Sequence, residues 1–424
     1  MSPSRSLLTD PAVRQAILLA VLLRVLLAVW AVVVLALRPL PAEPDETLRP
    51  YLGIPPLTNG PGSYLLAPWQ RFDTLHYLRI ANEGYAAVAD SVFPPLYPLS
   101  MRILDFGFWI LDPTCHVPLA TCDLPITTLH LLVGLAVSSL ALLGAVILLY
   151  RLTEVELGSL AASRAALYLA LFPTGFFLLA AYSESLFLLL ALGALWAARL
   201  GRPWLAGLLG LLATLTRLTG VGLVAPLAWQ VASGKWQMAG GRWQVASGIQ
   251  NPKSKIQNSL TLLPPLLPVL GLAGFLTWRA AAGLPPIGDV YRHYWHQTAG
   301  WPGLDIVRVV SLLFTGNATR SQFTLLFDLF CVALLLVTTW LAFRRLGVTY
   351  GLYMAVMLLF ILLPTSELKP FYSFSRYTLI FFPTFMLMGA AGGRRPWLHR
   401  LILYPSLALY LYFSGQFFLW GWVA

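Results

Sequence analysis

Arg71, Asp73, His76, Tyr77 and Arg79 crowd into one short run of a chain that is 58% hydrophobic and only 11% charged. The run follows the first long apolar segment, where the chain is expected to have just left a bilayer. If it is helical, His76 and Tyr77 fall at i+3 and i+4 from Asp73 and share its face. Gly84 then supplies a natural helix stop. One carboxylate among hydrogen-bonding neighbours, partly desolvated at a membrane surface, meets the requirements of a general base. A second reading stays open, because an Asp at a helix start also caps the free backbone amides.

Other residues could complete such a site. Arg376-Tyr377 sets a cation and a phenol just before an apolar run. The forked donors of Arg suit a phosphate, and the same pair could equally serve as an interfacial anchor. Arg217 interrupts an apolar stretch near its middle, and a charge at depth is usually paired or functional. Glu184, in Tyr182-Ser183-Glu184-Ser185, stands at the end of a span where it can pair with one of these arginines. The cluster Tyr291-Arg292-His293-Tyr294-Trp295-His296 has His-x-x-His spacing but no third ligand nearby, so an aromatic interface belt fits better than a metal site. Asp10, Asp45 and Glu46 read as solvated loop charges. The absence of a Walker A sequence, a Gly-rich nucleotide fingerprint and a DXD-type motif argues against a nucleotide-sugar or ATP site.

These residues must be positioned by membrane helices. Mean hydropathy of +0.73 and 15 Trp define an all-α polytopic membrane protein, since a soluble chain of this length needs far more polar surface. The net charge of +11 is scattered among short loops. Positive-inside topology and anionic membrane lipids account for it, and nucleic acid is not expected as a partner. Gln15 to Leu37 exceeds a signal-peptide core and has no small-residue cleavage site behind it, so a retained helix is expected. Arg5 and Arg14 put the N-terminus in the cytoplasm, making 38–125 a first outer loop that carries Asp73. Within it, Tyr97 to Leu111 is short and broken by Arg102 and Asp105, as in a helix lying in the interface.

Further spans are expected at Ile126–Tyr150, Arg164–Tyr182, Glu184–Arg199, Leu260–Ala281, Gln322–Phe343, Val348–Pro364, Tyr377–Ala391 and His399–Leu419. The stretch from Pro203 to Gln230 is expected to be a broken or re-entrant helix pair, interrupted around Arg217 and two glycines where backbone can line a polar cavity. The count is about nine spans plus the broken segment. Residues 231–258 form a cytoplasmic low-complexity linker. It contains a heptapeptide copied three times from Trp229 to Ile249, without the apolar spacing of a coiled coil. Cys331 lies in an apolar run. Cys115 and Cys122 share a polar loop, where a disulfide and a free pair both stay open, and a zinc site matches no known spacing.

The motifs taken together resemble the PIG-V family of GPI mannosyltransferases and its bacterial relatives. The resemblance rests on Phe72-Asp73 through Ile80-Ala81-Asn82-Glu83-Gly84-Tyr85, then Phe93-Pro94-Pro95-Leu96-Tyr97-Pro98. It continues in Tyr182-Ser183-Glu184-Ser185-Leu186-Phe187, Leu215-Thr216-Arg217-Leu218-Thr219-Gly220, and Arg376-Tyr377 with Phe382-Pro383. These occur in family order over most of the chain. Phe72 stands where the family usually has Trp, and Pro94 where it has a second Phe. Both keep an apolar group beside the motif and leave Asp73 in register, and what they put in doubt is the fit of the acceptor.

The resemblance implies a GT-C type helical bundle of about nine to eleven transmembrane helices, with juxtamembrane helices in the first outer loop. It implies an inverting transferase that takes a sugar, mannose by family analogy, from a polyprenyl-phosphate donor to a lipid-linked or protein acceptor at the non-cytoplasmic face. Asp73 would be the catalytic base. His76, Tyr77, Arg79, Tyr97, Glu184, Arg217, Arg376 and Tyr377 would bind substrate. The carrier phosphate is already an activated leaving group, so no cofactor is required, while a divalent metal stays open. A transporter or flippase for lipid-linked sugars would also need a polar cavity and arginines, but transporter folds often repeat their broken helices, and only one is visible here. An inactive structural subunit is the third possibility, against which the intact Asp73 run argues.

Overall fold

The structure is a computed structural model of the chain. It describes residues 9–41, 45, 47–58, 60, 62–111, 126–233, 238–239, 242–243, 263–315 and 322–423. Cys115 and Cys122 lie outside these residues, as do most of the heptapeptide copies and the linker.

The protein is an all-α membrane protein. Four helices among the described residues are long and apolar enough to cross a bilayer by length and composition: Pro11–Leu37, Ile126–Leu157, Gln322–Arg345 and Pro396–Phe418. Shorter apolar helices accompany them: Pro203–Thr216 packs on Glu184–Arg199, and Val348–Leu362 packs on Gln322–Arg345. The start of the first helix is set locally. Pro11 sits in its first turn, and the Asp10 carboxylate accepts from the amides of Ala12 and Val13 at 2.9 and 3.5 Å. Asp10 also pairs with Arg151, so it is a cap and a tie to the Ile126–Leu157 helix, not a solvated loop charge.

The region expected as a span from Arg164 to Tyr182 is different. Its helix runs only from Ser159 to Ala170, and the chain then continues through a 3-10 turn at Gly175–Leu178 to the next helix, Glu184–Arg199. Pro173 is the reason. Its ring disfavours the helical conformation at the preceding residue and it has no amide to donate. The irregular stretch is nonetheless buried from Phe172 to Ser185, and its polar groups find partners: Ser185 Oγ donates to the Leu178 carbonyl and Ser138 Oγ to the Tyr182 carbonyl. Non-helical backbone at depth is tolerated where protein surrounds it.

The second break falls where the residue types place it. Pro203–Thr216 ends at Arg217, whose backbone is extended at φ −149° and ψ 135°, and a 3-10 turn over Leu218–Leu223 leads into Val224–Ala232. Gly220 allows this turn to fold back, because a Cβ there would strike the Thr214 amide nitrogen. A third break separates the Arg376 turn, Phe374–Tyr377, from the helix Phe382–Arg394, which begins where Pro383 can occupy its first turn.

That last helix packs tightly along Ser159–Ala170. Gly389 faces the small residues Ala161 and Ala165, and a Cβ there would strike the Ala161 carbonyl oxygen and the Ala165 amide. Small residues at such a contact let the backbones approach, which is how helices associate without a hydrophobic driving force in lipid. The two helices that flank irregular segments are thereby locked to each other, and the segments they carry, Leu171–Ser183 and Phe371–Phe381, meet beside Asp73.

Candidate active site

Asp73 is the first residue of the helix Asp73–Glu83, and the residue before it, Phe72, has a left-handed backbone at φ 49°. Positive φ at a bulky residue is costly and persists only where its surroundings impose it. Here Arg71 imposes it. The guanidinium is buried, donating to the Phe418 carbonyl at 3.0 and 3.2 Å and to the Ala67 carbonyl at 2.7 Å. It also lies 4.7 Å from the Trp420 ring. The entry to the Asp73 helix is so clamped to the end of the last helix.

The Asp73 carboxylate makes no capping bond to its own helix. It accepts instead from Arg376 Nη1 at 2.7 Å, across 303 residues of chain. The Asp73 backbone amide faces the Tyr182 hydroxyl at 3.3 Å. Both charged groups are sheltered: the side chains of Asp73 and Arg376 retain 16% and 7% of their exposure. Arg376 also lies 3.2 Å through Nε from Glu184 Oε1, and its guanidinium stands over the Tyr182, Phe177 and Tyr377 rings at 5.2, 5.5 and 5.3 Å.

Glu184 joins the second arginine. Its side chain is fully buried, and Oε1 accepts from Arg217 Nη1 at 2.6 Å. The same nitrogen donates to Ser183 Oγ at 3.1 Å, which in turn accepts from the Tyr77 hydroxyl at 2.8 Å. Arg217 lies 5.1 Å from the Tyr377 ring. Asp73, Tyr77, Glu184, Arg217, Arg376 and Tyr377, read from scattered motifs, therefore form one network. Two cations and two carboxylates alternate in it. Glu184, shared by the two guanidinium groups, offsets part of their mutual repulsion.

The remaining expected residues sit elsewhere. The Tyr97 hydroxyl is buried against the Gly134 carbonyl at 3.0 Å and Ser138 Oγ at 2.8 Å, so it ties the Leu96–Leu111 helix to Ile126–Leu157. His76 and Arg79 both turn to Asp90, His76 through Nδ1 at 2.6 Å and Arg79 through two nitrogens at 2.7 Å. Burial pushes the Asp90 carboxyl up, but hydrogen bonds from His76 and Arg79 outweigh it and hold the group below the ordinary carboxylate range.

Asp90 went unread in the sequence, as did the acids that position Arg376. Asp305 gathers the chain ahead of Arg376, accepting from Thr365 Oγ1 at 2.5 Å and the Phe371 amide at 3.0 Å. Asp328, in the second turn of the Gln322–Arg345 helix, accepts from the Ser375 amide at 3.1 Å. A buried acid within an apolar helix was a visible signal for Asp328; Asp305 had none. A short antiparallel pairing of Thr298–Ala299 with Pro364–Thr365 brings the Trp295 loop to the same end of the bundle. Among the described residues, no group of three or more His, Cys, Asp and Glu gathers as a metal site.

No solved structure matches the chain. One relative is the "GPI alpha-1,6-mannosyltransferase 2" of Cricetulus griseus, 33% identical over 170 residues. That alignment takes in 37% of this chain and 30% of the relative, so the chain spans under a third of the relative's length. Residues 13–237 match the family described as Mannosyltransferase (PIG-V), a stretch that contains Asp73, Tyr77, Glu184 and Arg217. The chain belongs to the PIG-V mannosyltransferase family.

Proposed function

We propose that the protein transfers mannose, with inversion, from a polyprenyl-phosphate carrier to a hydroxyl of a lipid-linked or protein acceptor on the non-cytoplasmic side of the membrane. The observation that carries the reading is the contact of Asp73 with Arg376 at 2.7 Å, backed by Glu184 between Arg376 and Arg217. A sugar phosphodiester needs cations for its leaving phosphate and a base for the incoming hydroxyl, and both stand here side by side.

The donor phosphate docks against Arg376 on the side that faces Asp73, with Arg217 behind it, and takes over part of the charge that Asp73 now balances. Asp73, released from its ion pair, accepts the proton of the acceptor hydroxyl. That oxygen attacks the anomeric carbon from the side opposite the phosphate, so one displacement inverts the centre. The bond from the anomeric carbon to the phosphate oxygen breaks, and its electron pair leaves on the phosphate. No nucleotide or other cofactor enters the scheme.

Purified protein incubated with mannosyl polyprenyl phosphate and a membrane lipid extract should yield a mannosylated product of inverted anomeric configuration. Activity is expected to survive EDTA; its loss would bring a divalent ion into the scheme. Movement of the intact donor across a vesicle membrane without any sugar transfer would replace the enzyme by a flippase.

A further inference from the structure

The end of the bundle opposite Asp73 carries positive charge that the chain itself does not neutralise. Among the described residues, the carboxylates at that end are Asp10, Glu154 and Glu156. Each is already engaged, Asp10 and Glu154 with Arg151 and Glu156 with Arg199. The stretches 1–8 and 234–262 contain no Asp or Glu. Arg164, Arg394, Arg395 and Arg400 stand at the same end, where Ser159–Ala170 begins, Phe382–Arg394 stops and Pro396–Phe418 starts. None of the four makes a hydrogen bond or ion pair with a described residue.

Two of these arginines converge on one side chain. The Tyr168 hydroxyl lies 2.8 Å from His399 Nδ1 and the two rings are 5.7 Å apart, which ties the start of Pro396–Phe418 to Ser159–Ala170. Arg164 precedes Tyr168 by one helical turn, and the charges of Arg164 and Arg400 both act on the His399 ring. Gly392 and Gly393 leave the room. A Cβ at Gly392 would strike the Tyr168 hydroxyl, and one at Gly393 would stand 4.0 Å from Arg164 Nη1. That nitrogen is shut away without an acceptor, while Arg164 as a whole is half-buried. A cation so enclosed is costly unless a counter-charge meets its accessible part.

The surface beside the cluster is apolar. On Pro396–Phe418, a helix long and apolar enough to cross a bilayer, Trp397, Leu401 and Tyr404 are 58%, 58% and 63% exposed. Their i, i+4, i+7 spacing puts them on one face. Arg400, also exposed, shares that face, three residues from Trp397 and four from Tyr404. A stripe of apolar side chains running from a basic cluster into the bilayer suits acyl chains below a phosphate. Forked guanidinium donors suit the phosphate itself, and basic pockets between helices hold anionic headgroups. We infer that Arg164, Arg395 and Arg400, around the Tyr168–His399 contact, form a binding site for an anionic phospholipid of the leaflet opposite the Asp73 site. Its phosphate lies on the arginines and an acyl chain follows Trp397, Leu401 and Tyr404. Such a site is independent of the transfer chemistry.

The test uses the purified full chain in neutral detergent at about 0.15 M salt, where well-separated surface charges are screened from one another. Native mass spectrometry should show phosphatidylglycerol retained where phosphatidylcholine is not, and phosphatidylglycerol should raise the melting temperature. Arg395→Gln/Arg400→Gln removes two exposed charges that hold no described residue, so folding is spared. Phosphatidylglycerol affinity should fall by about 5-fold per arginine, about 25-fold for the pair. Arg164→Gln should add a further loss of about 5-fold. Arg344→Gln/Arg345→Gln takes the same charge from another exposed pair and should leave the affinity within about 2-fold of wild type. Equal losses from the two double variants would mean diffuse surface charge and overturn the inference. Equal retention of both lipids by the wild type would overturn it as well. So would a poly-glutamate peptide that binds the wild type while phosphatidylglycerol does not, which assigns the cluster to an acidic protein.

Discussion

At the scale of the residue, the decisive group is Asp73. Asp73→Asn keeps size and removes the proton acceptor, so turnover should fall by about 10²-fold or more, read on protein that stays folded in detergent. A cap would tolerate the change, since Asn caps helices as well as Asp, and the structure gives Asp73 no capping bond. Asp73→Glu should also be poor, because an added methylene displaces the carboxylate from its contact with Arg376. Arg376→Ala removes a charge-assisted contact worth about 1.5–3 kcal/mol. Donor affinity should then weaken by about 10- to 100-fold, read as a raised donor KM; an unchanged KM would leave only an anchoring role. Asp90 adds a pH dependence. A carboxyl depressed on folding stabilises the protein above its ordinary pKa of about 3.9 and loses that contribution as pH falls through the folded value. The stability advantage of wild type over Asp90→Asn should therefore shrink below about pH 4, as melting curves across pH would show.

At the scale of the element, the site is assembled from chain breaks. The Leu171–Ser183 stretch brings Tyr182 and Ser183, the extended residue at 217 brings its own guanidinium, and the turn at Phe374–Tyr377 brings Arg376. Glu184, at the start of its helix, ties the last two together. Glu184→Gln would leave two buried arginines short of a partner, and removing one member of a buried ionic group typically costs about 3–5 kcal/mol. It should read as a folding defect, visible in detergent melting, where Asp73→Asn, at a less buried position, reads chiefly as a loss of rate. Gly389→Leu tests the support behind Arg376. Its side chain must displace the Ser159–Ala170 helix, a steric cost of about 1–3 kcal/mol or more, and both melting temperature and activity should drop.

At the scale of the whole molecule, deletion of residues 235–249 should leave sugar transfer largely intact, because the heptapeptide copies lack a core-forming pattern; an inactive but well-folded deletion would give them a further role. The class of the protein, the starts of most helices and the break at Arg217 follow from composition, apolar run length and the positions of Pro, Gly and buried charge. These are local properties, and a sequence states them directly. Asp73, Arg376, Arg217 and Glu184 were legible for a related reason: a charge inside an apolar chain is too costly to keep without a task. That Glu184 pairs with one of the arginines was legible as well; the remaining pairings were not. Nothing local says that Arg376 reaches Asp73 across 303 residues, that His76 and Arg79 turn to Asp90, or that Tyr97 spends its hydroxyl on a neighbouring helix. The early end of the helix at Ala170 was half visible in Pro173, but the apolar run through Tyr182 masked it. Such choices are settled by which partners remain once helices have packed, since a buried polar group takes the nearest complementary group that the fold supplies.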